Sequence, residues 1–333
     1  MGLIDQRTRE SELEDFYRNL TVAYPNTEQQ MSLNSPSLLI VGTGAMASLF
    51  AARLSAAGVT VSMLGTWPEG LEILEQQGVT LVDANDRQQT YTVQTTNDPA
   101  TCAGTRLAVV LVKSWQTERA AHQLAVCLSP NGVALTLQNG LGNRETLAQV
   151  LGAQRVALGV TTIGANLVKP GYVRLAGDGV IILGAHARLS PLTDLLRNAG
   201  FIIENDPDPN ALLWGKLVIN AAINPLTALL NIPNGELLKR PSAHTLLANI
   251  ARESASVAIA QGVRLPYPDP VVATETIARR TASNRSSMLQ DVTRGSPTEI
   301  DAICGAIVQA GEQTGVPTPI NRTLWHLVKG LKG

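Results

Sequence analysis

The sequence predicts an α/β chain, with a doubly wound parallel sheet in its N-terminal part and an all-α domain behind it. Three observations carry this expectation. Short aliphatic runs alternate with helical stretches from Leu38 onward. A glycine loop follows the first of these runs directly, and strand-like runs stop at the turn cluster from Asn205 to Pro209. At 333 residues and 44% hydrophobic content, the chain is long enough for two domains with separate cores.

Residues 1 to 36 are polar and charged, with weak apolar periodicity at Leu13, Phe16 and Leu20, and they end in a Ser/Asn/Pro cluster. They read as an N-terminal extension, either a short helix over Glu10 to Leu20, a mobile arm, or an extension upstream of Met31. Leu38 to Val41, Val59 to Leu64, Leu107 to Val112 and Val133 to Leu137 read as buried parallel strands. Val156 to Thr162, Gly171 to Leu175 and Val180 to Leu183 read as glycine-punctuated hairpin strands extending the same sheet, with Phe201 to Ile203 closing it. Asp208 then caps a helix whose first residue is Pro209. Ala211 to Leu230, Pro241 to Gln261, Pro268 to Arg280 and Thr298 to Thr314 suit helices. The expected division is therefore a sheet domain over 37–206 and a helical domain over 207–333.

A net charge of −1 supplies no broad basic field, so neither nucleic acid nor a membrane surface is expected as a partner, and a small molecule is. Cys102, Cys127 and Cys304 are too few and too far apart for a disulfide framework or a metal site, which favours a reducing cytoplasm. No apolar run is expected to reach the roughly 20 residues of a membrane helix, and the polar, acidic start is unlike a signal peptide. His122, His186, His244 and His326 stand in unrelated contexts without a paired nucleophile and are assigned no chemistry. The apolar helices of the second half suit a homodimer interface or internal packing equally well.

Two segments carry candidate chemistry. Between Trp214 and Asn234, Lys216, Asn220 and Asn224 stand at four-residue steps in an otherwise apolar run. Such residues lie one above another on a helix, so they form a polar stripe. A buried ammonium costs several kcal/mol unless something binds it, so the stripe should line a polar cavity. Pro225 should kink the helix at Asn224 and turn freed carbonyls toward the same space. The second segment, G-T-G-A-M-A after the first strand, has the form of a dinucleotide loop. Gly42 allows the tight turn, Gly44 the close approach of a pyrophosphate, and Ala47 helix-on-strand packing, with Thr43, Ala45 and Met46 completing the contact loop. The second strand ends in Leu64, Gly65, Thr66 and Trp67 with no carboxylate to hold ribose hydroxyls, which tilts the cofactor toward NADP(H). Thr66 and Gly65 would then donate to a 2′-phosphate and Trp67 would lie against the adenine. Lys113, Gln116, Gln138 and Asn139 fall at carboxyl ends of strands, the crevice edge where such sheets bind ligands.

Together, G-T-G-A-M-A, V-K-S-W-Q, Q-N-G-L-G-N, the Trp214 to Leu237 segment and S-S-M-L-Q-D-V-T-R-G-S-P-T-E-I-D-A-I-C-G resemble the ketopantoate reductase family from about Leu38 to the C-terminus. The resemblance implies an N-terminal Rossmann-type domain and a helical domain of the 6-phosphogluconate dehydrogenase C-terminal-like kind, with the active site between them. It also implies NADPH-dependent reduction of 2-dehydropantoate, a small 2-oxo acid, to (R)-pantoate in pantothenate and coenzyme A synthesis. By the same resemblance Lys216 is the catalytic lysine and general acid, and Glu299 the catalytic glutamate, orienting the lysine or the substrate. Asn220, Asn224 and Ser287 match substrate-binding positions. Lys113 and Asn139 match positions near both nicotinamide and substrate, while Asn234 and Asp291 lie in matching segments without a defined role. Ala47 at the third glycine position and the lack of an Arg after the second strand depart from the family pattern. Two alternatives are a paralogous reductase of another 2-oxo acid and a dinucleotide-binding regulator without turnover.

Overall fold

The computed structural model of the chain describes residues 37–83 and 85–331. The expectations for residues 1–36 lie outside the described residues. From Ser37 the chain alternates strand and helix: β1 (Ser37–Val41), α1 (Ala45–Ala56), β2 (Thr60–Leu64), α2 (Pro68–Gln77), β3 (Val79–Val82), β4 (Gln88–Tyr91), β5 (Gln94–Thr96) and β6 (Thr105–Val110). It continues through α3 (Thr117–Cys127), β7 (Leu128–Thr136), α4 (Asn143–Leu151), β8 (Val156–Thr161), β9 (Gly164–Lys169), β10 (Tyr172–Gly177), β11 (Val180–Gly184), α5 (Ser190–Asn198) and β12 (Ile202–Asp206).

The main sheet has eight strands in the order β12-β11-β8-β7-β6-β1-β2-β5. All neighbours run parallel except β8 and β11. The order reverses at β1, which has β2 on one side and β6 on the other, and this switch point opens the ligand crevice at the carboxyl ends of the strands. The aliphatic run of β1 supports both faces: Leu38 and Ile40 enter one core cluster, Leu39 and Val41 the other. That double burial is why the run shows no polar alternation.

One expectation about the sheet needs correction. Gly171 to Leu175 does not extend the main sheet; β10 pairs with β9 and β3 in a second, four-stranded sheet of order β4-β3-β10-β9. The cause lies in α1, which is buried from Ala47 through Leu54. A helix buried all round, Ser48 and Arg53 included, needs cover on two faces. The main sheet supplies one, and β3, β9 and β10 pack on the other.

After Pro209 the described residues form no strand. The helices are α6 (Pro209–Leu230), α7 (Glu236–Lys239), α8 (Pro241–Ala260), α9 (Pro270–Arg280), α10 (Ser287–Thr293), α11 (Ala306–Thr314) and α12 (Pro319–Gly330). Asp208 Oδ1 accepts from the Ala211 amide, capping α6 at its expected start. Contrary to the sequence reading, α6 is long and apolar enough by composition to cross a membrane, but 72% of its most apolar window is buried inside the protein. Leu217, Val218, Ala221, Ala222 and Ile223 lie in the helical core, so its apolarity is used in packing. α6 runs through Pro225 to Leu230. Beside it, Thr227 Oγ1 lies 3.0 Å from the carbonyl oxygens of both Ile223 and Asn224. The stretch expected as one helix over Thr298 to Thr314 begins with a π-helical turn, Asp301–Gly305, before α11.

Candidate active site

Residues from both parts of the chain meet at the carboxyl edge of the main sheet. The glycine loop joins β1 to α1. Gly42 has φ +127°, and a Cβ there would stand 3.2 Å from the Leu111 backbone, so the turn requires glycine. Gly44 precedes α1 with open space where a Cβ would point and with no side chain capping the helix amides. No acidic residue occupies the first turn. The open amides of a 12-residue helix, reached over a glycine, fit a pyrophosphate, so the cradle suits the expected dinucleotide. Thr43, Ala45 and Met46 are half-buried along this loop, and Ala47 is fully buried under it. At the tip of β2, Gly65 is buried against Thr43, and Thr66 is exposed. Trp67 lies over Gly70 of its own helix.

Lys216 projects from the first half of α6 toward β8, where its Nζ donates to the Thr161 carbonyl oxygen at 2.6 Å. The contact sets the amine at the carboxyl end of a main-sheet strand. Burial pushes the ammonium pKa down to about 8, while the negative charge of Glu299 opposes the fall. Asn220 and Asn224 follow at one-turn steps, half-buried and buried. No side-chain hydrogen bond ties either of them, or Ser287, to another described residue, so their polar groups remain available to a ligand. Ser286, by contrast, is used structurally: its Oγ caps α10 at the Leu289 amide and is hydrogen-bonded to Thr227 Oγ1 at 2.7 Å.

Glu299 makes no hydrogen bond to Lys216, one of its two expected partners. Its carboxylate accepts from the Ser114 amide at 3.1 Å and from Asn139 Nδ2 at 3.4 Å, and lies 3.7 Å from Lys113 Nζ. Lys216 feels its charge but is bonded to Thr161. Lys113 makes a shorter ion pair, 2.7 Å, to Asp291 Oδ2. Burial alone would lower the Lys113 pKa, yet Glu299 and Asp291 outweigh it and hold the pKa above the ordinary lysine range. Burial raises the Asp291 pKa against the pull of Lys113. The environments of the two lysines thus diverge: carboxylates favour the charged form of Lys113, and burial disfavours that of Lys216.

The loops bearing Lys113 and Asn139 are held rigidly. Gln116 Oε1 accepts from the Lys113 amide at 3.3 Å, closing the turn Ser114–Gln116. Gln138, expected at the crevice, is buried and spent: its Nε2 donates to the Val112 carbonyl and Thr117 Oγ1, and its Oε1 accepts from Thr136 Oγ1. Asn139 keeps its side chain in the cleft because Asn143 Nδ2 secures its carbonyl at 2.8 Å. At Gly140, φ +84°, a Cβ would stand 2.5 Å from the Ala302 carbonyl oxygen. Glycine therefore lets this loop dock on the π-helical turn, where Leu141 N donates to the same oxygen at 3.0 Å.

Sequence reasoning missed Thr161 and the Ser114 amide, because a backbone group carries no side-chain signature. Asn234 turns its Nδ2 to Thr281 Oγ1 at 2.8 Å and leaves Oδ1 buried without a partner. A cavity of about 870 Å³ lies elsewhere, between the end of α6 and α10, and none of the candidate catalytic or substrate residues line it. Among the described residues, no group of three or more His, Cys, Asp or Glu could hold a metal ion.

Comparison with known proteins gives a consistent relationship. The profile of the family described as Ketopantoate reductase PanE/ApbA matches residues 38–188, and its C-terminal counterpart matches residues 208–332. The chain is 36% identical to the 2-dehydropantoate 2-reductase of Archaeoglobus fulgidus over 298 residues, 88% of this chain and 97% of that protein. A solved ketopantoate reductase of the PanE/ApbA family from Ralstonia eutropha superposes with a TM-score of 0.83 at 31% identity, covering 89% of this chain and 98% of that one. A D-mandelate dehydrogenase solved with NADH and anilino(oxo)acetate superposes with the same TM-score at 26% identity, over 89% and 98% of the two chains.

Proposed function

This chain belongs to the ketopantoate reductase family, and from that premise we propose that it reduces 2-dehydropantoate to (R)-pantoate with NADPH, with Lys216 as proton donor. The observation that carries the reading is the Lys216 amine, with its pKa near 8, bonded to Thr161 at the sheet edge across from the glycine loop. Gly42 to Met46 and Thr66 would hold the dinucleotide, with Lys113 and Asn139 near its nicotinamide end. When bound, the reduced nicotinamide supplies the hydride.

The chain's own residues handle charge and protons. An ammonium has three donors and Thr161 takes one, so others remain for the ketone oxygen. As negative charge develops on that oxygen, Lys216 transfers a proton to it. Asn220, Asn224 and Ser287 orient the substrate's carboxylate and hydroxyl as neutral donors, adding no further charge to the pocket. Glu299 keeps Asn139 and Lys113 in place rather than gripping Lys216. The three unpaired thiols, Cys102, Cys127 and Cys304, agree with residence in a reducing cytoplasm.

A general acid must carry its proton, so kcat/KM for reduction is expected to hold level below the Lys216 pKa and to fall as pH rises through about 8. A pH profile from 6 to 10 checks this. A profile flat to pH 10 removes Lys216 as the acid.

For the cofactor, the uncharged tip at Gly65 and Thr66 leaves a 2′-phosphate unopposed, and NADPH is expected to give the larger kcat/KM. Glu69, exposed in the first turn of α2, is the acidic group that would favour NADH instead. Equal use of the two nicotinamides in steady-state assays contradicts the preference. The likeness to D-mandelate dehydrogenase keeps a second substrate reading open, another 2-oxo acid on the same machinery. Comparing kcat/KM for 2-dehydropantoate with that for aryl and alkyl 2-oxo acids decides between them.

A further inference from the structure

Helix α10 spans seven residues, too few to hold its shape alone in water. Met288 and Leu289 are buried and pack the helix against α6, whereas Val292 and Thr293 border the 870 Å³ cavity. Discrete contacts tie it further. Thr227 of α6 bonds Ser286 at its start, and Lys113 pairs with Asp291. Two further bonds reach the small sheet: Gln290 Nε2 donates to Asn166 Oδ1 at 3.0 Å, and Arg294 Nη2 donates to the Leu167 carbonyl oxygen at 2.7 Å. Asn166 and Leu167 belong to β9, which packs on α1, the helix begun by the glycine loop. A continuous line of contact therefore runs from α1 through β9 to α10, and α10 carries Ser287.

We propose that Gln290 and Arg294 are positioning residues that clasp α10 to β9, so that the affinity of the substrate pocket depends on this bridge to the wall behind the dinucleotide helix. Neither residue belongs to the catalytic set; both act through the placement of Ser287 and Asp291. The inference rests on the proposed reading, in which Ser287 meets the 2-oxo acid.

The test uses the full chain at saturating NADPH with 2-dehydropantoate as the varied substrate. Loss of a charge-assisted hydrogen bond that orients a binding element is expected to raise KM about ten-fold in Arg294→Ala, with kcat within about two-fold of the parent. Arg294→Lys, which can still donate to the Leu167 carbonyl, should restore most of the lost affinity. Gln290→Ala and Asn166→Ala both remove the bond between these two side chains, and Gln290→Ala also removes the Gln290 Nε2 bond to the Arg285 carbonyl, so the double variant should show a KM effect no larger than Gln290→Ala alone. Amide exchange across residues 287–294 should quicken in Arg294→Ala with or without substrate. If the parent reduces no 2-oxo acid, the activity reading fails by itself, and the exchange measurement alone decides the clasp. KM unmoved in Arg294→Ala, unchanged exchange, or additive Gln290 and Asn166 effects each overturn the proposal.

Discussion

Lys216→Ala is expected to lower kcat by about 10²–10⁴-fold, the usual contribution of a positioned general acid, while the reduced dinucleotide binds as before. The cofactor cradle, with its glycine loop and open α1 amides, lies on the other part of the chain and takes nothing from Lys216. Alanine leaves α6 intact, since it is the best helix former and the lysine's one hydrogen bond is to Thr161 outside the helix. Relief of a desolvated ammonium even offsets part of the lost contact, so stability should change little. Stopped-flow binding of NADPH together with steady-state turnover separates the two effects. Turnover within a few-fold of the parent removes the lysine from the mechanism.

Glu299→Gln should cost nearly as much by a different route. The carboxylate is 5% exposed, accepts from Ser114 and Asn139, and faces the Lys113 ammonium at 3.7 Å. An amide of the same shape offers one acceptor and turns an NH2 toward donors. Lys113 keeps its 2.7 Å ion pair to Asp291, so the cost falls on the donors left facing an amide, and a lower Tm with a loss of kcat/KM on the order of 10²-fold is expected. The sign of the pH effect is more discriminating. Because the Glu299 charge holds the Lys216 pKa up against desolvation, its neutralisation should move the basic limb of the pH profile below about 8. A limb that stays in place or moves upward contradicts the electrostatic role assigned to Glu299.

The polar stripe on α6 was legible because helical spacing alone aligns Lys216, Asn220 and Asn224, and apolar neighbours on every other side force a buried setting. The glycine loop was legible for the same local reason. The partners of Glu299 were not, because they come from the ends of two different strands and meet only when the sheet edge and the helical domain come together. Helix α10 is too short for a periodic signal, and its clasp to β9 joins residues more than a hundred positions apart. The second sheet escaped notice because β4 reads Q-Q-T-Y, with no apolar alternation. Its signal lay in α1 instead: a helix carrying small and apolar residues on most of its faces between Ala47 and Leu54 demands a second cover.

Titration of the Lys216 side chain by ¹³Cε NMR, assigned with Lys216→Arg, tests the central claim most directly. The account predicts a pKa near 8 in the ligand-free protein. A value at the ordinary lysine position, about 10.4, would mean a solvent-like setting for the amine and contradict its role as a buried proton donor.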